Sequence, residues 1–401
     1  MTADKRVLIA GAGPVGMISA LVLAKAGMKV SLFERRSELA EDLRASTFHP
    51  PTLDMIARID PTLTADLHSQ GLVARHTQFR DRKSGLIAEF DAEVLRGDTD
   101  HPYRLQCEQW KMTRLIRDRL KAFPDVDLNL EAKVLDVAQN TEGITLKIER
   151  AGHVETHRGD WLIGADGAWS AVRTALGIAF EGMTYPERFY VASTTFDFAA
   201  VLDGLSLVNY VSDPDEWCVL LRVPGMWRVL FPTRSDEADE DVVSDASTEA
   251  RLQGVWQKPE FYETIHRTLY PVHQRVATTY RAGRAFLAGD SAHINNPIGG
   301  MGMNGGVHDA INLCAKLLGV LQQGHSPDSL DRYERQRRAI AIEYINASTA
   351  RNKKEIEERD PVLRRRTQDE LRATASNPVA AKNYLRKTSM LDALARAEAI
   401  A

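Results

Sequence analysis

The stretch from Arg6 to Glu34, RVLIAGAGPVGMISALVLAKAGMKVSLFE, constrains this chain more than any other. Its apolar run Val7-Leu8-Ile9-Ala10 is short enough for a buried parallel strand. Gly11-Ala12-Gly13-Pro14-Val15-Gly16 follows, a G-x-G-x-x-G, and then a helical pattern over Met17–Ala26 that Gly27 would end as a C-cap. A second strand over Lys29–Phe33 closes on Glu34, with Arg35 beside it. In such a unit Gly11 permits a tight turn, Gly13 lets the backbone approach a pyrophosphate, and Gly16 lets helix pack on strand. The helix opening at Pro14 and Val15 presents its N-terminus to the phosphates, and Glu34 can hold a ribose hydroxyl pair. A dinucleotide is therefore the expected ligand. Val7–Ala24 also carries no charge and follows Lys5 and Arg6, as a signal peptide or membrane helix would. Three glycines and a proline early in it argue against an uninterrupted apolar helix.

With 401 residues the chain can build two or three units with sizeable cores. A net charge of −4 gives no reason to expect nucleic acid or an anionic membrane surface as partner. Cys107, Cys218 and Cys314 are far apart and odd in number, so neither a disulfide framework nor a metal site is expected, and a reducing cytoplasm is the default.

Beyond Glu34, Arg44 could reach a phosphate or ribose, and His49-Pro50-Pro51 opens a helical segment that Pro61 interrupts. Leu72–Phe90 is strand-like with a turn at Lys83-Ser84-Gly85. Tyr103–Phe123 reads as one helix, on the stripe Met112, Leu115, Ile116, Leu120 and Phe123, with Gln109 near its start. Alternation over Val126–Leu130 and a hairpin turning at Ala151-Gly152 lead to Trp161-Leu162-Ile163. That strand enters Gly164-Ala165-Asp166-Gly167, with Arg173 on a following helix. From Phe180 to Val272 the pattern is an antiparallel sheet with a hairpin at Pro224-Gly225. Tyr210, Trp217, Arg222, Trp227 and Arg228 on it could line a site for a flat, anionic molecule. Ala285–Ala288 is a buried strand that ends at Gly289-Asp290, where open α/β sheets place ligands. The loop Pro297–Gly302 then runs through Met303 and Asn304 into a long helix read as beginning at Gly305. His293 reads as structural rather than as a base. Asp331–Ala401 reads as helices with a solvated face of mixed charge.

Three glycine-bearing turns in this order make the chain resemble the single-component FAD-dependent aromatic hydroxylases of the para-hydroxybenzoate hydroxylase type, over roughly residues 5–330. The matching positions are Gly11, Gly13, Gly16 and Glu34; Asp166-Gly167 with Arg173; and Gly289-Asp290 with His293, Pro297, Gly299-Gly300, Met303-Asn304 and Asp309. The resemblance implies an α/β fold: a Rossmann-like FAD-binding domain (1–72, 98–179 and 273–330), an inserted antiparallel-sheet substrate domain (73–97 and 180–272) and a C-terminal helical segment (331–401). It implies non-covalent FAD, with the adenosine half on Gly11–Gly16, Glu34 and Arg35. Arg44 and Gln109 would be further contacts, and Asp166 and Gly167 are associated with both FAD and NAD(P)H. Asp290 would take the ribitol, and Pro297, Gly300, Gly302, Met303 and Asn304 the flavin. NADH or NADPH would be a transient co-substrate, and a flavin C4a-hydroperoxide would hydroxylate a small phenolic or N-heteroaromatic ring with O₂. A homodimer is allowed for.

One departure is Asn296, which stands before Pro297 where the prototype has the first of two prolines. The prototype's substrate residues have no clear match, so His49, Tyr210, Arg222 and Pro297 stand as the candidates around the chemistry. Epoxidation, N-hydroxylation or dehydrogenation on the same fold remain open, as does a non-enzymatic FAD-binding protein. The W-x-W-x-I-P motif of halogenases is absent. An ordinary NAD dehydrogenase would leave Gly289–Asn304 unexplained.

Overall fold

The computed structural model describes residues 5–41, 43, 45–345 and 356–401. In the first part of the chain β1 (Arg6–Ala10), α1 (Pro14–Lys25) and β2 (Lys29–Phe33) form the expected unit. The charge-free stretch is thus a strand and a helix broken at Gly11–Gly13. No helix among the described residues is long and apolar enough to cross a membrane. Next come β3 (Thr47–Phe48), α2 (Pro50–Ile59) and α3 (Pro61–Ser69). Asp60 caps α3 by accepting from the Thr62 and Leu63 amides, so Pro61 starts a helix rather than merely kinking one. Then follow β4 (Leu72–Ala74), β5 (His76–Asp81), β6 (Gly85–Asp91), β7 (Arg104–Gln106) and α4 (Gln109–Leu120). The helix read over Tyr103–Phe123 therefore loses its first six residues. Arg104–Gln106 are the middle strand of a small sheet, paired with β3 on one side and β4 on the other.

The chain continues through β8 (Val126–Asn129), β9 (Lys133–Gln139), β10 (Ile144–Arg150), β11 (His153–Gly159), β12 (Trp161–Gly164) and α5 (Ala171–Ala175). Then come β13 (Phe180–Thr194), β14 (Val208–Ser212), β15 (Cys218–Val223), β16 (Met226–Pro232), α6 (Asp239–Val242), α7 (Asp245–Val255) and β17 (Thr264–Ala277). The last part holds β18 (Arg281–Ala282), β19 (Ala285–Leu287), β20 (His293–Ile294), α8 (Met301–Gln322), α9 (Asp331–Ile340), α10 (Pro361–Ser376), α11 (Pro378–Thr388) and α12 (Leu391–Glu398).

Two main sheets result. One runs β18-β19-β12-β1-β2-β8 and is parallel except at β18; β1 lies between β2 and β12, so chain order reverses beside it. That reversal opens a crevice at the carboxyl end of β1, the ligand position of open α/β sheets. The other sheet runs β20-β17-β13-β16-β15-β14-β5-β6. It is antiparallel except where β14 pairs in parallel with β5, which draws residues 76–91 into it.

The second sheet has two packed faces. Trp227, Val229, Phe231, Tyr190 and Leu252 form a core on its outer face. Its inner face carries Phe79, Tyr210, Val219 and Phe189, packed with Leu371, Ala381 and Leu385 of the C-terminal helices. Those helices therefore have one solvated face and one that closes over the sheet. Arg364 reaches Asp81, and Lys382 and Arg386 both pair with Asp98. All three cysteines are buried free thiols, pushed up to about 12 by burial.

Candidate active site

The first element of the site is the cradle after β1. Gly11 lies at φ +94, and a Cβ there would meet the Ala165 carbonyl oxygen at 2.4 Å. A Cβ on Gly16 would lie 1.9 Å from the Gly11 carbonyl oxygen. At Gly13 nothing lies within 4 Å, so this glycine keeps space open toward solvent rather than toward protein. Helix α1 has Pro14 in its first turn and no side-chain cap, which leaves its leading N–H groups for a ligand. Glu34 accepts from the Ala12 amide at 3.0 Å and the Arg36 amide at 3.1 Å, fixing its carboxylate at the rim. Arg35 is exposed beside it, Gln109 is half-buried at the start of α4, and Arg44 lies outside the described residues.

Val15 has a second task. Its Cγ2 would lie 2.7 Å from a Cβ on Gly289 and 2.6 Å from one on Gly306, so both glycines let α1, β19 and α8 converge. Asp166 is spent internally: it accepts from Ser170 Oγ at 2.5 Å and the Val172 amide at 3.1 Å. Arg173 donates to the Ser291 and Ala168 carbonyls at 2.9 and 2.7 Å, tying the turn at Gly167 to the turn at Gly289. Asp290 is exposed at the end of β19. Beneath it His293 and Arg337 hold the wholly buried Asp309. Burial works against that charge, but Arg337 and His293 outweigh it and keep the carboxyl down at about 2. His293 is thus a bracing residue, as its sequence context suggests.

The flavin-facing candidates gather at the start of α8, which begins at Met301, four residues before Gly305. Gly299 and Gly300 have φ of +104 and +68, and α8 has no side-chain cap. Asn304 accepts the His49 amide at 2.9 Å and donates to the Thr47 and Gly300 carbonyls at 2.9 and 2.7 Å. His49 Nε2 lies 2.8 Å from the Gly299 carbonyl oxygen. Burial, aided by the charge of Arg104, drives the His49 pKa from 6.5 to about 3. The ring is therefore neutral, with Nε2 donating to Gly299. It holds the loop of Pro297–Gly300 in place rather than taking up a proton. Gly302 and Met303 lie in the first turn of α8, where helix N–H groups are unused.

Cross-strand pairing sorts the remaining candidates by face. Ser193, Arg228, Leu221, Val208 and Thr77 form one row across the large sheet. Leu230, Val219, Tyr210 and Phe79 form the next row on the same inner face. Arg222 pairs instead with Trp227 and stacks 5.6 Å from its ring centroid, on the outer face away from Tyr210. The inner-face arginine is Arg228, buried, whose Nη1 donates to Ser46 Oγ at 2.9 Å. Ser46 precedes Thr47, so a hydrogen-bonded path joins sheet, β3 and the start of α8. Arg104 and Gln106, extended in β7 where the sequence pattern predicts a helix, lie on this junction.

A family model described as "FAD binding domain" matches residues 4–348. This chain belongs to that family. It is 32% identical over 388 residues to the para-nitrophenol 4-monooxygenase of Pseudomonas sp. (strain WBC-3), covering 94% of each chain. It is 33% identical over 368 residues to the 6-hydroxy-3-succinoylpyridine 3-monooxygenase of Pseudomonas putida (strain DSM 28022 / S16), covering 90% of this chain and 91% of that one. The crystal structure of p-nitrophenol 4-monooxygenase from Pseudomonas putida DLL-E4 superposes with a TM-score of 0.90 at 30% identity, covering 98% of both chains. The protein is an FAD-dependent aromatic monooxygenase, an oxidoreductase that uses NAD(P)H and O₂ on a small aromatic substrate. The bare space at Gly13 and the uncapped starts of α1 and α8 fit that cofactor.

Proposed function

We propose that this monooxygenase oxygenates a phenol or hydroxypyridine at the ring carbon para to its hydroxyl. Both relatives named above act, by their names, at a carbon para to a ring oxygen: position 4 of a phenol, and position 3 of a 6-hydroxypyridine. A ring hydroxyl, and more so its anion, feeds electron density to that carbon, where an electrophilic oxygen attacks best.

The residues divide the work. The backbone of Gly11, Gly13, Pro14, Val15 and Gly16 would cradle the FAD pyrophosphate, with Glu34 on the ribose, and Arg35 and Gln109 nearby. Asp290 would take the ribitol, and the N–H groups at Gly300, Gly302, Met303 and Asn304 the flavin's pyrimidine edge. When bound, FAD supplies the transfer of reducing equivalents from NAD(P)H to O₂ and of one oxygen atom to the ring. The protein orients the ring, keeps water out, and sets the positive end of α8 where negative charge develops. Pro297 and His49 fix the loop, while Tyr210 and Arg228 face the ring. Arg222 drops out of this set. Asp166, Gly167 and Arg173 act as a brace between two ligand-bearing turns.

The likeness to two relatives named for para positions carries this reading, and the hydrogen-bonded path from Gly299 and Gly300 through Asn304, Thr47 and Ser46 to Arg228 supports it by bringing the helix start against the inner face of the sheet. The test is a panel of para-substituted phenols and hydroxypyridines, scored by stimulated NAD(P)H oxidation and product structure. The expected product carries new oxygen para to the original hydroxyl: a hydroquinone where that carbon bore hydrogen, and a quinone where it bore a group that departs as an anion, such as nitro leaving as nitrite. Purified protein that stays colourless with added FAD, or that oxygenates only the ortho carbon, overturns it. The same reading places the enzyme in the cytoplasm, on its three free thiols, and allows a homodimer, which light scattering on the holoenzyme would test.

A further inference from the structure

Arg104 is a charge without a partner. The residue is 8% exposed, yet among the described residues it makes no ion pair and no side-chain hydrogen bond. Every other strongly buried arginine of the core has such a partner: Arg173 on two carbonyls, Arg251 on Glu216 and Glu237, Arg337 on Asp309. An uncompensated buried cation is costly, and folds keep one where a ligand completes it.

The surroundings say what that ligand is. Arg104 opens into a narrow cleft of about 10 Å³, which α11 must widen to admit a ring, between the inner face of the large sheet and α11, lined by Phe79 and Tyr210 on one side and Tyr384 and Leu385 on the other. The walls are aromatic: Phe79 stacks on Tyr210 at 5.2 Å between centroids, and Tyr384 stacks on Phe90 at 4.4 Å. Thr77 and Thr388 complete the lining, so no carboxylate faces the guanidinium there. Gln106 lies two residues along the same strand and so shares its face. Its Oε1 accepts from Thr47 Oγ1 at 2.9 Å, while its buried Nε2 has no partner among the described residues. The neutral His49 ring is close enough to feel the Arg104 charge, and its buried Nδ1 is unpaired among the described residues. The cleft thus presents one cation within largely aromatic, apolar walls, and Gln106 sets an amide donor beside that cation on the same strand. His49 in turn ties it to Gly299, at the start of α8.

We propose that Arg104, with Gln106 beside it, receives the ionised ring oxygen of the substrate in the cleft completed by α11, so that the enzyme selects the phenolate over the neutral phenol. This rests on the aromatic-monooxygenase reading and adds to it the residue that chooses the protonation state. Arg104 is then a specificity-determining residue, and α11 is a wall of the substrate site.

The test uses the FAD-loaded enzyme and para-nitrophenol, whose visible band reports ionisation, with 4-nitroanisole as the uncharged counterpart. In the wild type the bound nitrophenol should titrate at least about one pH unit below its value in buffer, and 4-nitroanisole should bind at least about tenfold more weakly. Arg104→Met should abolish the titration shift and equalise the two ligands while retaining FAD. Arg104→Lys should restore part of the shift, and Tyr384→Leu should weaken both ligands alike. An Arg104→Met enzyme that still binds nitrophenolate with an unchanged shift overturns the proposal, even if turnover shows the monooxygenase reading to be right. If Arg104→Met loses FAD, the Arg104→Lys and Tyr384→Leu arms decide: an unshifted titration in Arg104→Lys alongside wild-type affinity in Tyr384→Leu also overturns it. A wild type that binds no FAD fails the functional reading instead.

Discussion

The cradle at Gly11–Glu34 and the cleft at Arg104 solve opposite problems. The cradle is built from consecutive residues, and its polar groups are backbone N–H groups whose exposure costs nothing until a pyrophosphate arrives. The cleft is assembled from residues 77, 79, 104, 210, 384, 385 and 388, and it keeps a buried charge waiting. A site for a cofactor that stays can be made of geometry alone. A site for a substrate that comes and goes here pays part of its binding energy in advance.

The largest contrast is expected within the cradle itself. Gly16→Ala sets a Cβ 1.9 Å from a backbone oxygen, so the strand–helix unit must shift; the overpacking costs about 3 kcal/mol or more, and soluble yield should collapse. Gly13→Ala meets no protein atom, so the fold should survive with its melting temperature in the FAD-free state unchanged. Its FAD affinity should drop by roughly tenfold to a hundredfold, read by flavin fluorescence. Equal stability losses at both glycines would erase the distinction between a packing glycine and a ligand glycine.

The next effect separates the two faces of the large sheet. Arg228→Met cuts the link to Ser46 and should lower kcat/KM by about 1–3 kcal/mol, with FAD still bound. A smaller, pH-dependent effect belongs to the frame between cradle and cleft. His49 and His308 are both pushed from 6.5 to about 3, by burial first and by nearby arginine charge second. Between those values the unfolded chain binds protons that the folded protein does not, so stability falls as pH drops through that window. The slope should reach about 1.4 kcal/mol per pH unit for each ring. In His308→Gln, whose wild-type ring bonds Thr52, the slope of stability against pH should fall by up to about 1.4 kcal/mol per pH unit, read from denaturant midpoints. The smallest change is expected for Arg222→Met: about 1 kcal/mol or less in stability from the lost stacking on Trp227, and no change in kcat/KM.

What could be read from the chain alone follows the same division. The needs of Gly11, Gly13 and Gly16 are local, so spacing reveals them. The turn at Asp166 and the strand before Gly289 were legible for the same reason. Arg104 was not, because the apolar stripe from Met112 onward extends plausibly back to Tyr103. Only the pairing of β7 with both β3 and β4 shows that Arg104–Gln106 are extended. The start of α8 was placed late because Gly302, Gly305 and Gly306 look like helix breakers. Gly306 is there for contact with Val15 across two helices, which one-dimensional propensity does not contain. Choosing between Arg222 and Arg228 required only the alternation on β16, where Trp227, Val229 and Phe231 leave Arg228 on the other face. The parallel pairing of β14 with β5, which carries Thr77 and Phe79 to the cleft, spans more than a hundred residues and has no local signature.

The wall that α11 gives the cleft has a consequence for synthesis. A growing chain has made the whole first sheet and the glycine turns by Asp309, whereas Tyr384 and Leu385 emerge about seventy-five residues later. If the domains fold as they leave the ribosome, the cofactor can be seated before any cleft exists to admit a ring. The last helices then act as the part that commissions the enzyme, joining an already loaded flavoprotein to its substrate only once the polypeptide has reached them.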